Sequence, residues 1–493
     1  MLKISWVDAA IIIGFLLSVI AVGSAAARRS SKSASDFFLS GRSMPWWLLG
    51  VSMVACTFSC DTPNLVTDIV RTQGVAGNWA WWAFLLTGMM TVFVYAKLWR
   101  RSALDTDLGF YEIRYSGRPA AVLRGFRALY LGVFFNIMIM ATVSLAAIKI
   151  GQVMFGLSPV MTLLCASAGV AVYATLGGLT GSIWADFYQY SIAMVGAVFA
   201  AVYAVNSADV GGISSLKELF ANADVQAKMS MFPSGAGGVS ALMTVLILPV
   251  AVQWWNVWYP GAEPGGGGYI AQRMLSAKDE KNAVGATLLF NFLHYAMRPW
   301  PWIIVALVSL VQFPMTPPAE QEAARAWLAE NAAVVEQYAA AKERMPAEAR
   351  AQVRQRKADA AGVGSLARAF PKVDDQFLRN DIAYPGMIST MPKGWLGLIV
   401  ASLIAAYMST IATHLNWGSS YVVQDFYARF VKRDLTPKQA VAVGRGTMLA
   451  LLVLSGLVAL WMRNAKDSFD ILLQIGAGTG LLYILRWFWW RIN

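Results

Sequence analysis

Residues 55–66 read ACTFSCDTPNLV, and an aspartate, Asp61, and a proline, Pro63, stand there inside a run otherwise apolar enough to cross a bilayer. A charge at the centre of a lipid-facing helix is disfavoured by about 2.5–3.5 kcal/mol on insertion scales, so Asp61 is expected to face a bundle interior or a water-filled cavity. Pro63 has no amide hydrogen and leaves the carbonyl four residues earlier, that of Ser59, without its helical donor. Ala55, Thr57, Ser59 and Thr62, all small or polar, lie alongside. A discontinuous helix whose freed backbone oxygens hold a cation and an ordinary proline kink fit this segment equally well.

Composition frames that choice. The chain has 493 residues, 57% hydrophobic and 14% charged, with a mean hydropathy of +0.51, which is more apolar surface than a soluble domain can bury. The expected class is an all-α polytopic membrane protein seated in a lipid bilayer. Apolar runs of roughly 20 residues cross a ~30 Å hydrocarbon core as helices. About eleven occur, near residues 5–27, 45–70, 76–98, 128–155, 158–176, 183–206, 238–259, 283–313, 394–420, 439–462 and 469–490. The first ends GSAAARR, but its apolar stretch is longer than a signal-peptide core and its strongest charge follows it, so it reads as a span.

The formal net charge of +12 is spread over short basic clusters between apolar runs, a topological pattern that argues against a nucleic-acid partner. Arg28, Arg29, Lys32 and Arg42 follow the first run, Arg100, Arg101, Arg114, Arg118, Arg124 and Arg127 the third, Arg273, Lys278 and Lys281 the seventh, and Arg429, Lys432, Arg433, Lys438 and Arg445 the ninth. Those ends are expected in the cytoplasm and the amino terminus outside. Connections 207–237 and 314–393 then lie outside, and the alanine-rich charged part of the second reads as one or two exposed helices. Cys56, Cys60 and Cys165 fall inside apolar runs without metal or disulfide spacing and read as buried thiols.

Three further segments carry unusual residues. ILPVAVQWWNVWYPGAEPGGGGYIAQR holds Pro249, Asn256 and Pro260 about five spans after the first break, as an inverted five-helix repeat predicts. In AAYMSTIATHLNWGSSYVVQDFY, residues 405–427, Ser409, Thr410 and Thr413 bring hydroxyl oxygens to the centre of a span, with Ser409 and Thr413 on one face. Neutral oxygens suit a hard monovalent cation without the penalty of burying a charge, although hydroxyls also bond back to their own helix. Asp186 lies near a span start, and Arg298 lies halfway along its span, where it must snorkel, pair with an acid or meet a substrate. His294 is one turn before Arg298 on the same face.

With these residues assembled, the chain resembles the solute:sodium symporter family, which includes sodium/proline, sodium/sugar and sodium/sialate transporters. DFFLSGRSMPWWLLGVSMVA, ATLGGLTGSIWADFYQ, GYIAQRMLSAKDEKNA and AAYMSTIATHLNWGSSYVVQDFY carry the resemblance in family order. It implies a LeuT-like fold: an extra amino-terminal helix in residues 1–44, a first five-helix repeat over 45–206, and a second over 238–490 interrupted by the 314–393 loop. It implies a main sodium site at Ala55, Phe58, Ala406, Ser409 and Thr410. A second site would use Asp186 and Thr413, but Ala412 stands where that site wants a hydroxyl, so one coupled sodium is expected. The implied substrate pocket draws on Thr62, Asp61, Asn256, His294 and Arg298, with Tyr259 as an aromatic gate. Relatives usually continue past the last core helix, where this chain reads LLYILRWFWWRIN, so a truncated chain is expected.

The expected activity is sodium-coupled uptake of a small polar organic solute, a sugar, amino acid or organic acid, by alternating access across the inner (plasma) membrane. A solute sensor built on the same fold and a proton-coupled transporter are the competing readings. A passive channel would not need paired breaks and hydroxyls, and no nucleophile, base and oxyanion donor converge to suggest an enzyme.

Overall fold

Helices dominate because long apolar stretches must satisfy their backbone internally. The computed structural model describes residues 4–30, 33–206, 216–233, 238–255, 265–341, 344–462 and 480–492. Helix α1 runs Trp6–Ser30. After it, α2 spans Trp46–Cys56 and α3 spans Asp61–Gln73, with residues 57–60 outside any helix. The discontinuous reading of the opening segment is therefore the correct one, but its cause differs from expectation. Thr62 N–H donates to the Ser59 carbonyl at 3.2 Å, so that oxygen is not freed. Pro63 sits in the first turn of α3, where an amide hydrogen has no intrahelical partner to lose. The break lies upstream, where the Thr57 and Phe58 amides reach back only three residues, to Val54 and Ala55.

Then follow α4 (Val75–Ser102), α5 (Gly117–Phe155) and α6 (Pro159–Asn206). α6 is interrupted at Gly178, whose φ of 53° suits glycine and whose missing Cβ would lie 2.8 Å from the Phe37 carbonyl. α7 covers Val239–Trp255, and helix resumes at α8, Gly268–Ser276. α9 is Glu280–Asn291, continued through a wide turn at Phe292–Met297 into α10, Pro299–Gln312. α11 (Trp395–Val431) and α12 (Pro437–Trp461) complete the long elements. Among the described residues six helices are long and apolar enough to cross a membrane, and Trp46–Cys56, Pro159–Thr175 and Val239–Trp255 are shorter apolar helices. The break at residues 57–60 divides the second expected run, the break at Gly178 falls between the fifth and the sixth, and residues 469–479 of the last expected run lie outside the described residues.

The core is built around α11, whose first 26 residues are almost all buried, as an all-round apolar helix requires. α6 packs along it, and α1, α5 and α12 complete that side. Asp8 of α1 accepts from the amides of Gly394 and Gly397 at 2.7 and 2.8 Å, which satisfies two donors at the start of α11. On the other side α2 packs on α9, where a Cβ at Gly50 would fall 2.8 Å from the Ala286 carbonyl. Just before α2, Met44 donates to the Ser276 carbonyl at 3.2 Å and accepts from the Lys278 amide at 3.0 Å, so the start of α2 is stitched to the end of α8.

The 314–393 connection holds more helix than expected: Pro318–Glu330, Ala332–Ala341 and Ala347–Ala360, then the short Gly364–Ala369 and Ala383–Ile388. Tyr338, Met345 and Val353 give the cap a small core of its own, and Arg354 pairs with Asp375 at 2.8 Å. Two buried cations fasten the cap: Arg71 of α3 donates to Asn380, Ser309 O and Phe313 O at 2.8–2.9 Å, and Lys149 of α5 pairs with Asp381 at 2.5 Å. Cys56 and Cys60 are buried as expected, whereas Cys165 is exposed on the outer surface of α6. An apolar run locates a thiol in a span but not on its inward face.

Candidate functional site

The non-helical turn at residues 57–60 meets the middle of α11. Ala406, Ser409 and Thr410 are spaced i, i+3, i+4 and so share one face of α11, and all three are buried. The Thr410 hydroxyl donates to the Cys56 carbonyl at 3.3 Å, and Cys56 Sγ lies 2.8 Å from Thr413 Oγ1. Ala55 and Phe58, on either side of that contact, are equally buried. The five residues expected around a sodium ion are thus carried by two elements in direct contact, with carbonyl and hydroxyl oxygens at the seam. That donor set is neutral and hard, which suits a monovalent cation.

Behind this seam lies a network the sequence reading did not anticipate. Asp186 is fully buried on α6; its Oδ1 accepts from Ser409 at 2.7 Å and its Oδ2 from Ser52 at 2.6 Å. Because Ser409 gives its hydrogen to Asp186, its lone pairs are left for another partner. Arg273, counted from sequence among the basic loop residues, is instead 0% exposed within α8. Its Nη2 donates to Thr413 at 2.8 Å, contacts Cys56 Sγ at 3.0 Å and approaches Asp186 at 3.5 Å, while Nε donates to Ser52 at 3.1 Å. Four elements, α2, α6, α8 and α11, therefore converge on one buried ion pair. Asp186 is part of this network and not merely a helix-end residue.

A second polar group lies at the first turn of α10. Arg298, 2% exposed, donates to Val54 O at 3.4 Å and Thr57 Oγ1 at 3.1 Å, and stacks over Trp302 at 5.6 Å. It forms no ion pair among the described residues, so of the three fates open to it from sequence it takes neither the snorkel nor the acid partner. His294 sits 3.2 Å from Arg298 Nη2 through Nε2 and 3.0 Å from Thr57 Oγ1 through Nδ1. A guanidinium can only donate, so Nε2 accepts and the hydrogen is on Nδ1, facing Thr57.

Asp61 and Thr62 open α3. Asp61 Oδ1 is buried without a hydrogen-bond partner among the described residues, as are both amide atoms of Asn64 one turn on, Thr67 Oγ1 and Arg298 Nε. Asn64 was not singled out from sequence; a neutral amide in an amphipathic stretch reads as ordinary helix surface. Unpaired buried polar atoms are costly unless something meets them. Asn256 and Tyr259 lie outside the described residues.

Comparison with known proteins bears on this arrangement. The model of the sodium:solute symporter family matches residues 37–333 and 364–493. The chain is 21% identical to a sodium/glucose cotransporter of Vibrio parahaemolyticus, over 99% of this chain and 81% of that protein. It is 26% identical to the sodium/mannose cotransporter SLC5A10 of Bos taurus, over 100% and 76%, and 23% identical to the sodium/sialic acid symporter SiaT of Proteus mirabilis (strain HI4320), over 97% and 84%. Among solved structures, a Na+-coupled sialic acid symporter in a substrate-bound outward-open state matches with a TM-score of 0.72 at 20% identity, covering 99% of this chain and 87% of that one. This establishes the LeuT-like fold.

Proposed function

Because the chain belongs to the sodium:solute symporter family, we propose that it imports a small polar organic solute together with sodium, the ion being bound where the 57–60 turn meets α11. The observation that carries this reading is the contact of Thr410 and Thr413 with Cys56, which brings the hydroxyl face of α11 against the one segment of α2–α3 whose backbone leaves the helix. Sodium there draws on Ala55, Phe58, Ala406, Ser409 and Thr410. By holding the turn against α11 it completes an outward-facing pocket, and rocking of the repeats then exposes ion and solute to the cytoplasm. Inward movement of one charge through ~100 mV releases about 2.3 kcal/mol, roughly fifty-fold in accumulation.

One sodium per cycle fits the network behind the site. Asp186 and Thr413 already face a cation, the Arg273 guanidinium, so their charge and oxygen are engaged without a second ion. The solute pocket lies beside Asp61, Thr62, Asn64, His294 and Arg298, a mixture of donors and acceptors that suits an oxygen-rich solute, such as the sugars named for its relatives. Asn256 and Tyr259 are proposed to complete it. The clusters of arginine and lysine between spans support an amino terminus outside the plasma membrane.

Sodium-dependent thermal stabilisation of the purified protein tests the reading, with potassium at equal ionic strength as control. Stabilisation by sodium that is absent in Ser409→Ala/Thr410→Ala supports the site. A folded wild-type protein indifferent to sodium overturns it and shifts weight to proton coupling or a sensor.

A further inference from the structure

A groove of about 560 Å³ runs along the outer surface between the start of α2 and α9. Lys281, Gly285, Leu288 and Phe292 line it on α9 with Trp46 opposite, and their spacing of four, three and four residues makes one continuous helical stripe. Leu288, Phe292 and Trp46 are about half exposed, so nothing among the described residues covers them. Gly285 keeps the floor open, since a Cβ there would come within 3.2 Å of Trp46 Cβ. At one end Asn282 fixes the Trp46 backbone amide at 2.8 Å, and Lys281 makes no ion pair among the described residues. Arg100 and Arg101 stand at the same end, Arg100 on the Ala277 carbonyl and Arg101 on Glu280.

We propose that this groove binds one anionic glycerophospholipid, with its phosphate at Lys281 and an acyl chain along Leu288 and Phe292. Lys281 to Phe292 spans eleven residues, roughly 16 Å of helix, which matches one leaflet of a ~30 Å hydrocarbon core. The charge complements it: Lys97, Arg100 and Arg101 lie near Glu280 and Lys278 near Asp279, with Lys281 next in the chain, so five basic residues stand against two acidic ones at this end. Basic pockets between spans on the cytoplasmic side recognise acidic headgroups, and an interfacial tryptophan marks the headgroup level. The occupant lies against α2, the helix that ends in the 57–60 turn, so it braces one wall of the proposed sodium site.

Native mass spectrometry of the purified full chain tests this by titration with phosphatidylglycerol and phosphatidylethanolamine of identical acyl chains. The expected result is one phosphatidylglycerol retained in preference to phosphatidylethanolamine. Lys281→Gln, an exposed change that folding tolerates, should lower that preference about fivefold, the worth of one basic residue at an anionic surface. Gly285→Leu, which fills the floor, should lose both lipids. Equal retention of the two lipids by the wild type, an unchanged preference in Lys281→Gln, or a dimer in place of lipid adducts would each overturn the proposal; if Gly285→Leu does not fold, Lys281→Gln decides alone.

Discussion

Replacing Arg273 by glutamine should be among the most damaging single changes in the membrane core. The guanidinium is fully buried and reaches Ser52, Cys56, Thr413 and Asp186. Removing one partner of a buried ion pair leaves the other charge uncompensated and costs about 3–5 kcal/mol, far more than the pair contributes over an apolar replacement. Asp186→Asn should also destabilise, though less, because Arg273 keeps its neutral acceptors. The double variant Arg273→Gln/Asp186→Asn should recover at least ~2 kcal/mol relative to the sum of the singles, since residues of one buried network are not additive. Reversible unfolding in mixed detergent micelles measures all three. The same samples carry a sodium test: without Arg273 the Asp186 carboxylate is open to another cation, so the sodium titration of the stabilisation should steepen from a one-site curve. Single variants within about 1 kcal/mol of the wild type, additive energies, or a wild-type titration that already requires two ions would refute the reasoning.

Gly397→Ala places a Cβ 2.5 Å from Asp8 Cα; backbone must move, and a loss above ~2 kcal/mol in the same unfolding assay is expected. Asp8→Ala removes the acceptor of the buried Gly397 amide and of the half-buried Gly394 amide and should cost about 1–3 kcal/mol. Lys149→Met leaves Asp381 without its cation and should raise hydrogen exchange across residues 374–391 while sparing the cap core around Tyr338. The Asp279 carboxylate is held below its ordinary range, first by the Asn282 amide that it caps and then by that residue's side chain. Its contribution is therefore complete above the ordinary carboxylate range near about 4 and is lost as pH falls through the depressed value; amides at the start of α9 should stay protected until the pH is more acidic than that range.

Asp61 and Pro63 announced the first break because both are out of place in an apolar run, but proline marked the position only to within a turn. The amides of Thr57 and Phe58 choose three-residue bonds for reasons that no side chain in the segment declares. The hydroxyl face of α11 was legible for a simpler reason: periodicity alone puts Ser409 and Thr413 together. Arg273 was not legible. A basic residue after an apolar run satisfies the charge rule whether it is in solvent or buried, and only Asp186, distant in sequence, distinguishes the two. Asn64 was hidden by the same ambiguity in neutral form.

The stitch between Met44 and α8 has a mechanical meaning. Backbone bonds on both sides of one residue leave the start of α2 and the end of α8 little freedom to slide past one another, and Gln272 of α8 holds the Phe38 carbonyl at 3.0 Å just upstream. The start of α2 and the end of α8 are thus coupled as a single lever. If sodium binds as proposed at the far end of α2, the main chain links that site to α8, and a message that the site is filled would not have to pass through the solute.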